Sequence, residues 1–347
     1  MSTTECTTPC LVFLHVHKAG GSTLLRVLNV AQRTTSCGGL YYCNWRAYDT
    51  VGCIPKPNAS RPFAKPLSIS QRGAIRHDED EWMTERQQDF FRARLYFGGY
   101  SASLFGRHSP PTRRGCKRFA LFRDPFSRLA SAISYCRHGL RPMGVGAWQP
   151  VQQGGDEICG GRRNGSVEEW AQHFGSWTFR QLVLQPSLLK LLRGKDSARE
   201  SQTVDQEPAS VWLRVKDSLA SNDFDRIETA PAREALRRVE SSIADGSLLH
   251  VIGIFEHWSR TMELLDMMMP LPTGQRWAKV AQQEKESYGS HAWKQQQAAD
   301  LEEAHESTAV RRLLQADVRI YAAALQRFEA LRRDHAPACE PGTICHV

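Results

Sequence analysis

The sequence predicts an α/β protein in which helices flank a central parallel sheet. Short apolar runs, rich in residues that favour strands, are each followed by a helical pattern; they are Leu11–Val16, Phe119–Phe122 and Leu248–Glu256. Such runs are typical of strands buried on both faces, and their alternation with helices indicates βαβ units. The 347 residues are enough for one large domain, and we see no repeat and no second domain.

The first apolar run leads through a glycine turn into a helix. The turn reads Lys18-Ala19-Gly20-Gly21-Ser22-Thr23, and apolar residues then recur at helical spacing from Leu24 to Ala31. Free N–H groups and the positive end of the helix dipole favour an anion at such a helix start. The glycines allow close approach, Lys18 adds a positive charge, and the two hydroxyl groups add donors. The alternative is an ordinary Gly-Gly turn beside a solvated lysine.

The second apolar run ends at an arginine and a helix start. Arg123 follows Phe119–Phe122, and Asp124 and Pro125 are typical of an N-cap and a first helical position. Arg123 is therefore expected at the carboxyl end of a strand, where ligands bind in open α/β sheets. Ser131 is expected about 10 Å further along the helix axis, sharing a face with Arg128 and Tyr135. The alternative is a helix cap whose arginine pairs with a nearby acid.

Both turns resemble motifs of the Golgi carbohydrate sulfotransferases, the group that contains heparan sulfate 2-O- and 6-O-sulfotransferases. Phe13–Thr23 is similar to their 5′-phosphosulfate loop, F-x-H-x-x-K-T-G-G-T-T, with Ala19 in place of a threonine. Arg123–Ala132 is similar to their 3′-phosphate motif, R-D-P-x-x-R-x-x-S-x. Weaker likenesses lie at Trp177–Leu182, at 252–265, and in a closing D-x-x-x-Y…F pattern from Asp317 to Phe328. Because Lys18 precedes the glycines, the first turn differs from the loop of nucleoside triphosphatases.

The resemblance implies a P-loop-like sulfotransferase fold in a single domain over residues 1–347, with 1–10 as an N-terminal tail. It implies 3′-phosphoadenosine 5′-phosphosulfate as the sulfuryl donor, a carbohydrate acceptor and no metal. The residues implied to bind the donor are Lys18, Ala19, Gly20, Gly21, Ser22, Thr23, Arg123 and Ser131. Lys18 is also implied to be catalytic, because it would neutralise charge that develops on the leaving group.

The general base that activates the acceptor hydroxyl is not identified by the sequence. Relatives of the 2-O and 6-O type have a histidine in a segment that corresponds to 97–105 here, where Tyr100 stands instead. A tyrosine with a pKa of about 10 is a poor base unless its surroundings change that pKa. We therefore take Tyr100 and His108 as the candidate bases. His17 adjoins Lys18 but is interpreted as a packing residue of the loop, and Asp78, Glu79 and Glu81 are further candidates without positional support.

Charge and cysteine content limit the partners and the compartment. The formal net charge of +8 suits an anionic partner, and 107–128 holds seven Lys or Arg residues against one acid. That segment is either a rim that attracts anions or an ordinary solvated loop. No zinc-finger spacing or continuous basic helix supports nucleic acid as a partner. Ten cysteines, among them Cys37, Cys43 and Cys53, favour disulfides in an oxidising compartment. The family resemblance implies the Golgi lumen.

Some segments lack the periodicity of a helix or strand, and more than one function fits the sequence. We expect 34–76 and 138–166 to be irregular excursions, because they are rich in glycine, proline or cysteine. No apolar run is long enough to span a membrane, so membrane attachment would need an N-terminal anchor absent from this chain. Open alternatives are a relative that binds donor or glycan without turnover, and sulfation of protein tyrosine. A P-loop kinase or triphosphatase is disfavoured by the position of Lys18.

Overall fold

The computed structural model describes residues 10–16, 18–33, 40–47, 50–55, 67–70, 95–98, 116–138, 165–183, 230–271, 274–283 and 291–335. Seven strands lie in these ranges: β1 (Leu11–Leu14), β2 (Leu40–Ala47), β3 (Thr50–Pro55), β4 (Leu67–Ser70), β5 (Leu95–Gly98), β6 (Lys117–Phe122) and β7 (Val251–Ile254).

Nine helices lie in the same ranges. They are α1 (Gly21–Arg33), α2 (Pro125–His138), α3 (Val167–Phe174), α4 (Trp177–Val183), α5 (Ala230–Ala244), α6 (Trp258–Met268), α7 (Trp277–Gln283), α8 (His291–Glu306) and α9 (Thr308–His335). A short 3-10 turn, Phe255–His257, joins β7 to α6. No helix within the described ranges is long and apolar enough to cross a membrane.

The sheet confirms the predicted α/β class. Its strand order is β4-β3-β2-β5-β1-β6-β7. Parallel pairings join β2 to β5, β5 to β1, β1 to β6 and β6 to β7. The strands expected around the three apolar runs are confirmed as β1, β6 and β7, and β1 and β7 are buried along their whole lengths. The helices predicted to follow these strands are confirmed as α1, α2 and α6.

The expectation of an irregular excursion over 34–76 is wrong in part. This stretch contains β2, and it contains β3 and β4, which extend the sheet by antiparallel pairing. Tyr41, Tyr42 and Trp45 belong to the aromatic class that favours strands, but the surrounding Cys, Gly and Pro residues hid that signal. Cys43 lies opposite Cys53 in the β2–β3 register. Of the other expected excursion, 138–166, the residues 139–164 lie outside the described ranges.

The connections of β1 and β6 leave the sheet in opposite directions. From β1 the chain proceeds past β5 to β2, whereas from β6 it proceeds to β7 on the other side. The carboxyl ends of these two neighbouring strands therefore form a topological switch point, the usual place for a ligand in an open α/β sheet. At the opposite ends of the same strands, a disulfide joins Cys10 to Cys116. This pairing was not apparent from the sequence.

Helices on the sheet hold the switch point in place. The long helix α9 contacts α2, α3, α4 and α5, and it also packs against β7. Helices α1 and α6 both contact α7. The core under the sheet is apolar and buried, with Phe13, Leu24 and Phe119 among its members. Burial of this apolar surface is the main stabilising contribution to the fold, and it leaves the strand ends at a defined edge.

Candidate anion-binding site

The β1–α1 turn has the backbone of a site that accepts an anion. Val16 N donates to Leu14 O, Ala19 N donates to Val16 O, and the first helical bond runs from Leu24 N to Gly20 O. The N–H groups of residues 21–23 therefore come before the first intrahelical bond of α1. Together with the helix dipole, they favour a negative charge at this point.

Two glycines allow the turn to pack closely. Gly20 has a φ of +84°, and a Cβ atom placed there would lie 2.9 Å from the ring of Phe255. A Cβ atom on Gly21 would lie 2.0 Å from the ring of His15. Any larger residue at Gly21 would have to displace that ring, because real Cβ contacts are never so short. Close packing, and not only backbone freedom, therefore requires both glycines.

Lys18 extends from this turn towards α2. Its backbone has a φ of +64°, a left-handed conformation that residues other than glycine rarely adopt. Its ammonium nitrogen lies 3.9 Å from the centroid of the Tyr135 ring. In the part of the chain that the structure describes, no carboxylate pairs with this ammonium group. Burial, with a smaller contribution from the charge of Arg123, lowers the pKa of Lys18 from 10.5 to about 8.

Arg123 adjoins Lys18 at the carboxyl end of β6. Its Nη1 donates to the Lys18 carbonyl oxygen at 3.1 Å, and its guanidinium carbon lies 4.6 Å from the Phe255 ring centroid. Its Nε is buried and has no hydrogen-bond partner among the described residues. Burial lowers the pKa of the guanidinium, while the charges of Glu256 and Asp124 act in the opposite direction. The two cations that the sequence placed on separate turns are therefore neighbours.

Asp124 and Glu256 hold the β6–α2 turn. Asp124 accepts a hydrogen bond from Ser127 N at 2.8 Å, which confirms it as the N-cap of α2. Asp124 N donates to Glu256 Oε1 at 3.0 Å, and the Tyr321 hydroxyl donates to Glu256 Oε2 at 3.0 Å. Burial raises the pKa of the Tyr321 hydroxyl, and the charge of Glu256 raises it further. Both oxygens of Glu256 are thus engaged by donors other than Arg123.

Arg128 belongs to the interior and not to the site. It is 1% exposed, and its Nη2 donates to Phe174 O and to Asp317 Oδ2, each at 3.0 Å. Asp317 also accepts hydrogen bonds from the backbone N–H groups of Thr178 and Phe179 at the start of α4. The closing pattern of the sequence therefore supports the second turn, since Asp317 binds Arg128 and Tyr321 binds Glu256.

The structure places some of the predicted site residues and not others. Lys18, Ala19, Gly20, Gly21, Thr23 and Arg123 meet at the switch point, together with the backbone of Ser22. Ser131 lies on α2, one helical turn before Tyr135, and is partly exposed. The candidate bases Tyr100 and His108, and the residues His17, Asp78, Glu79 and Glu81, lie outside the described ranges.

Two residues of the site were missed from the sequence. Helical spacing placed Tyr135 on one face with Ser131, but no pattern in the neighbouring sequence indicated that its ring contacts Lys18. Phe255 was assigned to the strand candidate Leu248–Glu256, whereas it lies just beyond β7 beneath Arg123. Within the described ranges, no group of three His, Cys, Asp or Glu side chains is placed to hold a metal ion.

Comparison with known protein families finds no match to this chain, and a search of curated proteins finds no relative.

Proposed function

We propose that the protein is a sulfotransferase that moves a sulfuryl group from 3′-phosphoadenosine 5′-phosphosulfate to a hydroxyl of a carbohydrate acceptor. One observation carries the proposal: Lys18 and Arg123 lie together at the switch point without a carboxylate partner in the described residues. Two adjacent, largely buried cations are costly to a protein, and the charges of Glu256 and Asp124 act on Arg123 without pairing with it. An anionic ligand is therefore expected to compensate the two cations.

The arrangement suits a ligand that carries negative charge at two ends. One end is the N-terminus of α1 with the neighbouring cations Lys18 and Arg123, and the other is the hydroxyl of Ser131 further along α2. Ser131 lies about 10 Å along the helix axis from the N-cap residue Asp124. An adenosine with phosphate groups on its 5′ and 3′ positions has charges separated in this way, whereas the phosphates of ATP form one chain.

In sulfuryl transfer the protein contributes mainly by positioning the two substrates and by stabilising the charge that develops. Sulfuryl transfer resembles phosphoryl transfer, in which in-line displacement proceeds through a loose transition state. The N–H groups of residues 21–23 would hold the 5′-phosphate, and Lys18 would stabilise charge on the departing oxygen. Arg123 and Ser131 would hold the 3′-phosphate. The donor supplies the activated sulfuryl group, and Tyr100 or His108 would take the proton of the acceptor hydroxyl.

The same proposal covers the acceptor and the location of the protein. The formal net charge of +8 favours an anionic glycan as the acceptor. The basic segment 107–128 adds less than its composition indicates, because Lys117 and Arg118 begin β6 at the end away from the site and Arg128 is in the interior. The disulfide between Cys10 and Cys116 is compatible with an oxidising compartment such as the Golgi lumen.

Calorimetric binding of adenosine 3′,5′-bisphosphate tests the donor site directly. We expect Lys18→Met and Arg123→Met each to weaken binding by about 10- to 100-fold, because each removes a charge-assisted contact. Arg260 on α6 is exposed, so Arg260→Met is a control with the same change of charge. The binding affinity for adenosine 5′-monophosphate should be reduced much less by Arg123→Met than by Lys18→Met. Equal effects of Arg260→Met and Arg123→Met would contradict the proposal.

Transfer of labelled sulfate from the donor then tests the reaction. On a panel of glycans we expect transfer by the natural chain and none by Lys18→Ala or Arg123→Ala. A tyrosine peptide in the same panel tests the alternative acceptor class. The second candidate function is a binding protein, which the presence of Tyr100 in place of a histidine favours. Tight bisphosphate binding without transfer to any acceptor would support it.

A further inference from the structure

The backbone of Lys18 is held from one side by Arg123. The left-handed φ of +64° is unusual for a lysine, and the Arg123 guanidinium binds the carbonyl oxygen of this same residue. A residue kept in such a conformation is held there by its surroundings. With the backbone fixed, the flexible four-carbon side chain is the part of Lys18 that still needs to be positioned.

The ring of Tyr135 lies where it can position that side chain. An ammonium group within about 6 Å of an aromatic centroid is attracted to the negative face of the ring, and here the distance is 3.9 Å. Phe255 contacts Arg123 in the same way at 4.6 Å. A ring face stabilises a cation without neutralising it, so N–H donors remain available to an oxyanion. A carboxylate in the same position would compete with that anion.

Tyr135 is itself held by the interior of the protein. It packs against the buried cluster that contains Leu129, Ile133 and Trp170. Its position four residues after Ser131 places the ring and the serine hydroxyl on one face of α2. The helix that is proposed to bind the 3′-phosphate therefore also supports the lysine that is proposed to act at the 5′ end.

We propose that Tyr135 is a positioning residue that holds the Lys18 ammonium group at the β1–α1 turn for the anionic donor. This inference rests on the proposed function, because the donor is what the lysine would meet. Among the described residues, the charge of Arg123 acts on the lysine, and the charges of Glu256 and Asp124 act on Arg123. Tyr135 acts through Lys18 and is not itself expected to react.

The test is the pH dependence of lysine acetylation by acetic anhydride in the full chain, with the Lys18 peptide quantified by mass spectrometry. Burial already places the pKa of Lys18 at about 8, so the midpoint falls in an accessible range. Tyr135→Leu keeps an apolar side chain but removes the ring face. We expect the Lys18 midpoint to fall by about one pH unit, a tenfold loss of proton affinity. Tyr135→Phe, which keeps the ring, should restore the natural midpoint.

Phe126→Leu is the matched control for this experiment. Phe126 lies on the same helix and packs against the same cluster, but its ring stacks on His305 at 4.3 Å, whereas the Lys18 ammonium lies over the ring of Tyr135. Its substitution should leave the Lys18 midpoint unchanged. An unchanged or raised midpoint in Tyr135→Leu would overturn the positioning role. Acetylation needs no ligand, so a natural chain that fails to bind the bisphosphate would refute the proposed function separately.

Discussion

Arg123 and Arg128 lie five residues apart around the start of α2, yet their guanidinium groups meet opposite surroundings. Arg128 is buried in the interior, where it binds a carboxylate, Asp317, and a carbonyl oxygen, Phe174 O. Arg123 lies at the sheet edge, where it contacts the Phe255 ring and the Lys18 carbonyl but pairs with no carboxylate of the described residues. Burial lowers the pKa of both guanidinium groups.

The difference separates a structural cation from one available to a ligand. At Arg128 the charge of Asp317 compensates burial, and the pair links α2 to α9. At Arg123 and Lys18 the direct contacts are aromatic faces and a carbonyl group, which tolerate a cation without cancelling its charge, and Glu256 and Asp124 act on Arg123 only through their charges. A site that binds anions needs cations of this second kind, because internal ion pairs would compete with the ligand.

The largest expected effect concerns stability. Arg128→Met should lower the free energy of unfolding by about 3–5 kcal/mol, because it leaves Asp317 buried without its counter-charge. Arg123→Met should change that free energy by less than about 1 kcal/mol, because no internal ion pair is lost and a desolvated charge is removed. Urea unfolding of the two variants measures both values. Similar losses would show that the contrast between the two arginines is wrong.

A smaller expected effect is the pH dependence of ligand binding that Lys18 causes at the sheet edge. Because the pKa of Lys18 is lowered to about 8, this group is protonated below that pH and loses its proton above it. Affinity for adenosine 3′,5′-bisphosphate should therefore fall as pH rises from 7 through 8, by at most about tenfold per pH unit, because the ligand phosphates, whose second pKa is about 6, already carry their full charge in this range. Isothermal calorimetry across this range measures the slope.

The slope should disappear when the lysine is replaced. Lys18→Met is expected to bind weakly but with the same affinity at pH 7 and pH 9, because Arg123 keeps its charge over this interval. A slope that persists in Lys18→Met would assign the titration to another group.

The smallest expected effect concerns the far end of the site. Ser131→Ala should weaken bisphosphate binding about three- to tenfold, because a hydroxyl donates one hydrogen bond to a phosphate. Binding of adenosine 5′-monophosphate and the urea midpoint should both stay unchanged. Ser241→Ala, on the exposed surface of α5, is the control. Loss of affinity for both nucleotides alike would place Ser131 away from the 3′-phosphate.

Patterns of neighbouring residues were sufficient to predict the strands and helices that carry the site. The apolar runs predicted β1, β6 and β7, and the Asp-Pro pair predicted the start of α2. They also placed Lys18 and Arg123 at strand ends. By contrast, β2, β3 and β4 were predicted as irregular, because their composition signals turns while their pairing depends on neighbouring strands. The disulfide between Cys10 and Cys116 joins residues 106 positions apart, so spacing gave no indication of it.

The sequence by itself determined β1, β6 and β7 and the turns and helices that follow them, because periodicity, caps and glycine turns depend on residues that are close in the chain. Tertiary structure alone decided which cation is neutralised. Asp317 meets Arg128 across 189 positions, and Phe255 meets Arg123 only because β7 lies beside β6 in the sheet. Electrostatic partners are chosen by packing between distant segments, and that packing is set by burial of apolar surface over the whole core.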